Sequence, residues 1–191
     1  MKRLILILAI VTLLVVGCGG SSSDSSGTVE ISFDGEKYRF NKAEFRIYVD
    51  PVLGQTVIRT VEPGKVQAVR YNLHTENFSE LHDGKAFVIG WWVDTDNPME
   101  TLKSYVGKEI TNDETRPDDI YVNFLVDGKS IEVDSDYKSW IIIENVGEET
   151  ISGRFGGKFK VQDGKTYRTI GATTIEECSF EVPLRKDFTE N

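Results

Sequence analysis

The sequence predicts an all-β domain of about nine or ten antiparallel strands with one short helix. Three observations favour this class. Apolar and polar residues alternate in several segments, Asp-Gly dipeptides recur between them, and one segment carries the start signals of a helix. Alternation with a period of two indicates strands with one face buried and one face in water. We expect the strands to pack as a β-sandwich or to close into a barrel, with the sandwich favoured.

The individual strands follow from this alternation. Val29, Ile31 and Phe33 lie on one face of the first predicted strand, and Phe45 with Ile47 lie on one face of the second. The second strand carries Glu44, Arg46 and Tyr48 on its other face. The longest alternating segment covers residues 151–161, and the apolar run at 140–143 predicts a central strand that is buried on both faces.

Asp-Gly dipeptides mark the turns between these segments. They occur at 34–35, 83–84, 127–128 and 163–164. Both residues of this dipeptide tolerate the positive φ angles that a two-residue hairpin turn requires. We therefore predict tight hairpins at these places.

One helix is predicted from Pro98 to about Val106. Asn97 provides an N-cap, Pro98 suits the first helical position, and Glu100 follows the cap by three residues. Gly107 can end the helix in a left-handed conformation. A helix this short has to dock on the sheet to be stable. We expect residues 72–82 to form a loop.

The N-terminus has the three parts of a secretory leader. Lys2 and Arg3 are positive, residues 4–16 are apolar, and Cys18 follows Gly17. The apolar run is too short to span a bilayer as a helix. We interpret 1–17 as a signal peptide. The residues around Cys18 resemble the lipobox of bacterial lipoproteins, and this resemblance implies lipid on the Cys18 sulfur and a membrane as partner.

Residues 18–27 are the lipidated cysteine and a tether of Gly, Ser and Asp, which has the composition of a flexible linker. Residues 28–191 are long enough for one domain with its own core. Loss of residues 1–17 leaves 20 basic and 31 acidic residues, a net charge of −11. This balance argues against nucleic acid as a partner and against direct adsorption to anionic lipid.

The side chains that could carry chemistry are few. Cys178 shares a predicted strand face with Phe180 and Val182, so we expect a buried core residue and not a reactive thiol. His74 and His82 are the only histidines and are expected at the surface. With one free cysteine, no metal site is predicted from them, and no cofactor and no catalytic residue are assigned.

Trp92 is the candidate ligand-binding residue. In the segment 87–94, Phe87, Ile89, Trp91 and Val93 share one face, and Trp92 points the other way. An indole on an outer face can stack on a sugar ring or contact a protein partner. The alternative is that the short helix folds back and covers Trp92.

A family resemblance rests on three segments of the C-terminal part of the chain. They are the apolar run 140–143, the strand at 151–159 (Ile-Ser-Gly-Arg-Phe-Gly-Gly-Lys-Phe) and the final strand from Cys178 to Leu184. The Phe-Asp-Gly-Glu-Lys-Tyr start at 33–38 supports it too. The chain resembles uncharacterised surface lipoproteins of Bacteroidota-like bacteria. This resemblance implies a β-sandwich or a lipocalin-like barrel and brings no catalytic residues with it.

We therefore expect a membrane-anchored lipoprotein of the cell envelope that displays a non-catalytic binding domain for a glycan or protein. The alternative is a lipocalin-like carrier of a small hydrophobic ligand, and the least favoured hypothesis is an envelope hydrolase. Residue 19 is glycine. It is not the aspartate that retains lipoproteins in the inner membrane of enteric bacteria, so we expect the outer membrane if the source is Gram-negative.

Overall fold

The all-β prediction is confirmed. The computed structural model describes residues 27–50, 68–75, 85–112 and 120–187, and these residues form ten strands and one short helix. Of the two predicted arrangements, the structure has the barrel. The elements are β1 (Gly27–Phe33), β2 (Glu36–Asp50), β3 (Ala68–Thr75), β4 (Ala86–Asp94), α1 (Pro98–Ser104), β5 (Glu109–Thr111), β6 (Ile120–Val126), β7 (Lys129–Glu132), β8 (Ser139–Val146), β9 (Thr150–Asp163) and β10 (Thr169–Lys186).

Seven strands close the barrel in the order β2-β3-β4-β6-β7-β9-β10. All neighbours in this ring are antiparallel except β10 and β2, which are parallel and pair only at Leu184–Lys186 with Phe45–Ile47. Outside the ring, β1 pairs with β2, and β8 and β5 extend the sheet from β9. Alternation in a sequence identifies the buried face of a strand but not its partners, so the pattern could not distinguish a sandwich from a barrel.

Aromatic rings fill the barrel interior. Phe40 lies 5.0 Å from Phe87 between ring centres, and Phe87 lies 5.7 Å from Phe124. Phe124 in turn lies 6.1 Å from Phe155 and 6.1 Å from Phe159. All five side chains are buried. Rings at these separations are in direct contact, so this part of the interior is a packed core.

The helix α1 begins at Pro98 as predicted but ends at Ser104, two residues before the predicted end, with Tyr105 as its C-cap. The Asn97 side chain accepts a hydrogen bond from the Glu100 amide, and Gly107 has φ +76°. The helix packs on the inner face of β3 and β4, because the Tyr71 hydroxyl donates to the Pro98 carbonyl (2.7 Å) and Tyr105 lies 5.6 Å from Trp91. Within the described part of the chain, no helix has the length and apolar content needed to cross a bilayer.

Two predicted turns are two-residue hairpins. Asp34 and Gly35 have φ +52° and +78°, and residues 127–128 have +50° and +74°. The third Asp-Gly pair, at 163–164, begins a longer loop that ends where β10 starts at Thr169. The fourth, at 83–84, lies outside the described residues.

Two strand predictions were wrong in detail. Residues 140–143 have strands on both sides, β9 and the three-residue β5, but they are not buried on both faces, because Ile141 and Ile143 are buried whereas Trp140 and Ile142 are half-buried. Residues 72–75 are not loop, because they pair with β2 and β4 as the end of β3.

The Cys178 prediction is confirmed, since the thiol is buried beside Phe180 and Val182, and burial raises its pKa to about 12.

Candidate functional site

Trp92 lies on the outer face of β4 and is half-buried. The helix α1 packs on the side of Trp91, so among the described residues it does not cover Trp92. Arg70 on β3 is directly opposite Trp92 in the strand register, and its guanidinium carbon lies 5.2 Å from the Trp92 ring centre. The candidate residue therefore lies on the barrel exterior and contacts a cation. Cys18 and His82 lie outside the described residues.

Trp92 is one end of a row of alternating cations and rings that crosses three strands. The Arg70 guanidinium lies 4.4 Å from the ring centre of Tyr48 on β2, which pairs with Arg70. The guanidinium of Arg46, also on β2, lies 5.8 Å from the same ring. We call Arg46, Tyr48, Arg70 and Trp92 the cation–aromatic ladder. Guanidinium groups at these distances are attracted to the ring faces, which favours this arrangement of the four side chains.

A polar pair lies beside the ladder on the same outer face. The Tyr121 hydroxyl on β6 donates to the Asn72 side-chain oxygen on β3, across the intervening strand β4. The residue of β4 beneath this pair is Gly90, where a Cβ atom would overlap Asn72 and would lie 2.6 Å from the Tyr121 oxygen. Glycine at position 90 thus allows side chains from two non-adjacent strands to meet.

Glu44 places a buried carboxylate at the seam between β2 and β10. Its side chain is 8% exposed, and its oxygens lie 2.7 Å from Arg46, 3.7 Å from Arg185 and 3.6 Å from His74 Nε2. A carboxylate removed from water is tolerated only when cations compensate it. Glu44 therefore connects the ladder, through Arg46, to the strand that closes the barrel.

His74 is buried, so its predicted surface position was wrong. It lies on the outer face of β3, but Tyr48 and Glu44 cover it. Nδ1 of His74 lies 2.6 Å from the Thr75 carbonyl oxygen. Because a carbonyl can only accept a hydrogen bond, Nδ1 carries the proton and donates it. In the neutral ring Nε2 then accepts from the Tyr48 hydroxyl (3.3 Å). Burial lowers the pKa of His74, and this effect exceeds the opposing ones of the Thr75 hydrogen bond and Glu44.

The side chains of this outer face differ in how open they are to solvent. Both ring nitrogens of His74 are engaged within the protein and its side chain is 6% exposed, so a substrate atom cannot reach it. The half-buried Arg70 and Trp92 present donors and ring surface in fixed positions. Fixed donors and rings can bind a ligand without paying a large ordering cost.

A groove lies beside the short strand β5. It is an open groove of about 610 Å³ between β5 and the turn at 134–138. Asn112 in its wall donates to the carbonyls of Asp134 (3.0 Å) and Tyr137 (2.7 Å) and accepts from the Ser139 amide. Because the hydrogen bonds of Asn112 maintain the turn, we assign this wall of the groove a structural role.

Sequence reasoning placed Trp92 on an outward strand face but did not identify the side chains that surround it. Tyr48 and Arg46 were correctly placed on an outward face, yet nothing in the linear pattern showed that Arg70 would join them. That information lies in the register between β2, β3 and β4. The spacing did carry part of this information. Arg46 and Tyr48 alternate with buried residues of β2, in the same way that Trp92 alternates with buried residues of β4.

Comparisons of the chain with protein-family models, with curated proteins and with solved structures found no match.

Proposed function

We propose that this chain is a membrane-anchored, non-catalytic binding protein whose ligand contacts the cation–aromatic ladder. The observation that carries the proposal is the position of Arg70 between Tyr48 and Trp92, 4.4 and 5.2 Å from their ring centres. Arg70 lies between the two rings in the strand register, and its guanidinium group carries five N–H donors in one plane. Such a donor array beside ring surface suits a polar ligand with a flat side.

The membrane part of the proposal rests on the sequence. Residues 1–17 have the pattern of a signal peptide, Cys18 occupies the lipobox position, and residues 19–27 form the tether. We place the lipidated protein in the cell envelope, and in the outer membrane if the source is Gram-negative. The lipid on Cys18 supplies the attachment, which leaves the outer face of the barrel available for a partner.

The same structure favours the exterior over the interior as the binding surface. A lipocalin-like carrier needs an apolar cavity of several hundred Å³, whereas rings in contact occupy the interior around Phe124. A hydrolase needs a base that can reach its substrate, whereas His74 is buried. These observations support a surface binder over the two alternatives.

The partner we propose is a glycan. A sugar ring offers a flat C–H face to an aromatic side chain and hydroxyl groups to donors and acceptors in the plane around it. The ladder supplies rings and guanidinium donors, and Asn72 and Tyr121 add an amide and a hydroxyl in the adjacent row. A protein ligand that uses the same side chains is the other outcome of the test below.

The experiment compares Trp92→Ala with Trp140→Ala. Trp140 is a matched control, since it too is half-buried, and the guanidinium of Arg154 lies 5.8 Å from its ring centre. Full-length protein in detergent is applied to a glycan array and used to capture binding partners from envelope extracts. We expect Trp92→Ala to abolish the captured signal and Trp140→Ala to keep it. Equal retention by both variants would contradict the proposal.

The anchor is tested separately by Cys18→Ser. We expect this variant to keep its signal peptide or to leave the membrane fraction, because the modified sulfur is missing. A mature, membrane-bound Cys18→Ser protein would overturn the anchor and leave the ladder proposal untouched.

A further inference from the structure

Arg70, in the middle of the cation–aromatic ladder, differs from the other partly buried arginines. Of the arginines that the structure describes, three are half-buried, namely Arg46, Arg70 and Arg154. Arg46 contacts Glu44 at 2.7 Å, and Arg154 contacts Glu144 at 3.0 Å. Among the described side chains, Arg70 takes part in no such salt bridge. A cation that is partly removed from water is ordinarily compensated by an anion, so Arg70 retains the capacity to bind one.

The nitrogen atoms that stay open around Arg70 are all donors. Arg70 Nε is buried without an acceptor, which leaves the two terminal NH2 groups as the part of the guanidinium that a ligand can reach. Trp92 offers an indole N–H, which can only donate. Asn72 Oδ1 already accepts from the Tyr121 hydroxyl, so the Asn72 amide N–H groups remain. Donors side by side favour a ligand group that only accepts, and a carboxylate is such a group.

Two carboxylates close to the ladder are engaged with its other cations. The Glu44 oxygens contact Arg46 and also Arg185, the latter at 3.7 Å. Asp187 contacts Arg46 at 3.8 Å. These acidic side chains therefore compensate the charges of Arg46 and Arg185 and leave that of Arg70.

A further carboxylate lies on the same outer face. Asp94 follows Trp92 by two residues and is opposite Ala68, so it belongs to the row of the sheet next to that of Arg70. Within the described part of the chain, no salt bridge joins Asp94 to Arg70. The face as a whole is therefore not a basic patch, and its distinguishing property is the set of donors at Arg70.

We propose that the glycan bound by the ladder carries a carboxylate, as the uronic acids do, and that Arg70 binds this group. This inference rests on the proposed binding function of the ladder. The planar guanidinium group matches a carboxylate with two parallel N–H···O bonds. Trp92 is 5.2 Å from the guanidinium carbon, measured from its ring centre. A sugar whose C–H face stacks on Trp92 thus holds a carboxylate at its ring edge beside Arg70.

The net charge of the chain limits how acidic this ligand can be. The full sequence has a net charge of −9, which repels a densely charged polyanion over a Debye length of roughly 8–10 Å at physiological salt. A contact between one guanidinium and one carboxylate acts at hydrogen-bond distance instead. The ligand is therefore a glycan with isolated carboxylates and not a heavily sulfated polysaccharide.

The test measures the affinity of full-length protein in detergent for pairs of oligosaccharides. Each pair consists of an oligosaccharide that contains galacturonic, glucuronic or mannuronic acid and its carboxyl-reduced neutral form. We expect the acid of at least one pair to bind about tenfold more tightly or better, because a hydrogen bond to a charged group exceeds one between neutral groups. Equal affinities within every pair would overturn the inference and leave the ladder proposal standing.

Two arginine variants test whether this preference belongs to one residue. Arg70→Gln should remove the preference for the acid and should change the affinity for the neutral form by less than about threefold. Arg154→Gln is the matched control, because Arg154 lies 5.8 Å from the Trp140 ring centre but already contacts Glu144. This control should keep the preference. Loss of the preference in both variants, or in neither, would show that Arg70 does not bind the carboxylate.

Arg70→Lys separates binding from a structural role. Lysine keeps the positive charge but lacks the planar fork of donors. We expect this variant to bind the neutral form as the wild type does and to lose part of the preference for the acid. If Arg70→Lys and Arg70→Gln lose the neutral form as completely as the acid, Arg70 only maintains the shape of the face and its carboxylate role is refuted.

Other outcomes separate this inference from the proposed function. If Trp92→Ala leaves the binding of both forms unchanged, the ladder is not the binding surface and the inference fails with it. If binding needs Trp92 but a sulfated sugar or an acidic peptide competes better than the sugar acid, the ladder stands and the proposed ligand class is wrong. If no pair binds while Trp92-dependent capture from envelope extracts persists, the ladder again stands and the sugar acid is refuted.

Discussion

Arg70 and Trp92 face each other across β3 and β4 with the guanidinium carbon 5.2 Å from the indole ring centre. Exposed contacts of this kind contribute about 0.5–1 kcal/mol, and more where water is excluded. We expect a double-mutant cycle of Arg70→Ala and Trp92→Ala, measured by urea unfolding, to give a coupling energy of at least about 0.5 kcal/mol.

The matched control for this cycle is an arginine on the same barrel without such a ring. Arg39 on β2 is exposed, so Arg39→Ala combined with Trp92→Ala should be additive within about 0.3 kcal/mol. If the Arg70 cycle is additive as well, the coupling energy is zero and the contact does not stabilise the folded protein. The cation–aromatic ladder would then not be a stabilised arrangement.

Gly90 is predicted to tolerate no side chain. In Gly90→Ala the new methyl group would overlap the Asn72 side chain and would lie 2.6 Å from the Tyr71 carbonyl. Overpacking of this kind costs about 1–3 kcal/mol, and we expect a loss in that range by thermal or urea unfolding. Gly171→Ala is the control, because nothing lies within 4 Å of a Cβ there. Its effect should stay within about 0.5 kcal/mol.

Glu44 and Glu30 allow a test of how much burial matters to an ion pair. Glu44 is 8% exposed and contacts Arg46 at 2.7 Å, whereas Glu30 is 53% exposed and contacts Lys37 at 3.3 Å. Arg46 itself is 31% exposed, so Glu44→Gln should cost less than the roughly 3–5 kcal/mol of a fully buried pair but more than the roughly 0–1 kcal/mol of an exposed pair. Glu44→Gln should therefore destabilise the protein several-fold more than Glu30→Gln in urea unfolding. Equal effects would indicate that Glu44 is not needed at the seam.

The sequence predicted local features well and long-range features poorly. The alternation of Val29, Ile31 and Phe33 identified a buried face, and the Asn97–Pro98–Glu100 signals placed the helix, because both depend on residues close in the chain. Closure of the barrel depends on three residue pairs between β10 and β2, whose partners are about 140 positions apart. No pattern within one segment contains that information.

The same distinction explains the candidate site. Trp92 was found because its outward position follows from the alternation in β4 alone. Arg70 and His74 were missed because their roles come from register: His74 is buried only since Tyr48 and Glu44 on β2 pack over it. A histidine among polar residues predicts exposure unless the neighbouring strand is known.

His74 gives the protein a predicted acid sensitivity. Burial lowers its pKa below the ordinary value of 6.5, so the folded state disfavours its protonation relative to the unfolded state. Above pH 6.5 the ring is neutral in both states and stability is full. As the pH falls through 6.5, the unfolded state takes up the proton first, and stability decreases until the folded-state pKa is passed. The loss is about 1.4 kcal/mol for each unit by which the pKa is lowered.

The measurement is urea unfolding between about pH 8 and pH 5, a range that brackets the ordinary histidine pKa. His82→Gln is the parent, so that His74 is the only histidine, and His74→Gln is added to it. Glu44, Arg46, Arg70 and Tyr48 surround the ring and are present in both proteins, which differ only in the side chain at position 74. We expect the parent to lose more stability on acidification than the variant lacking His74. If the two curves are parallel, the buried ring does not govern this pH dependence, because the uptake of protons on unfolding would then come from groups that both proteins share.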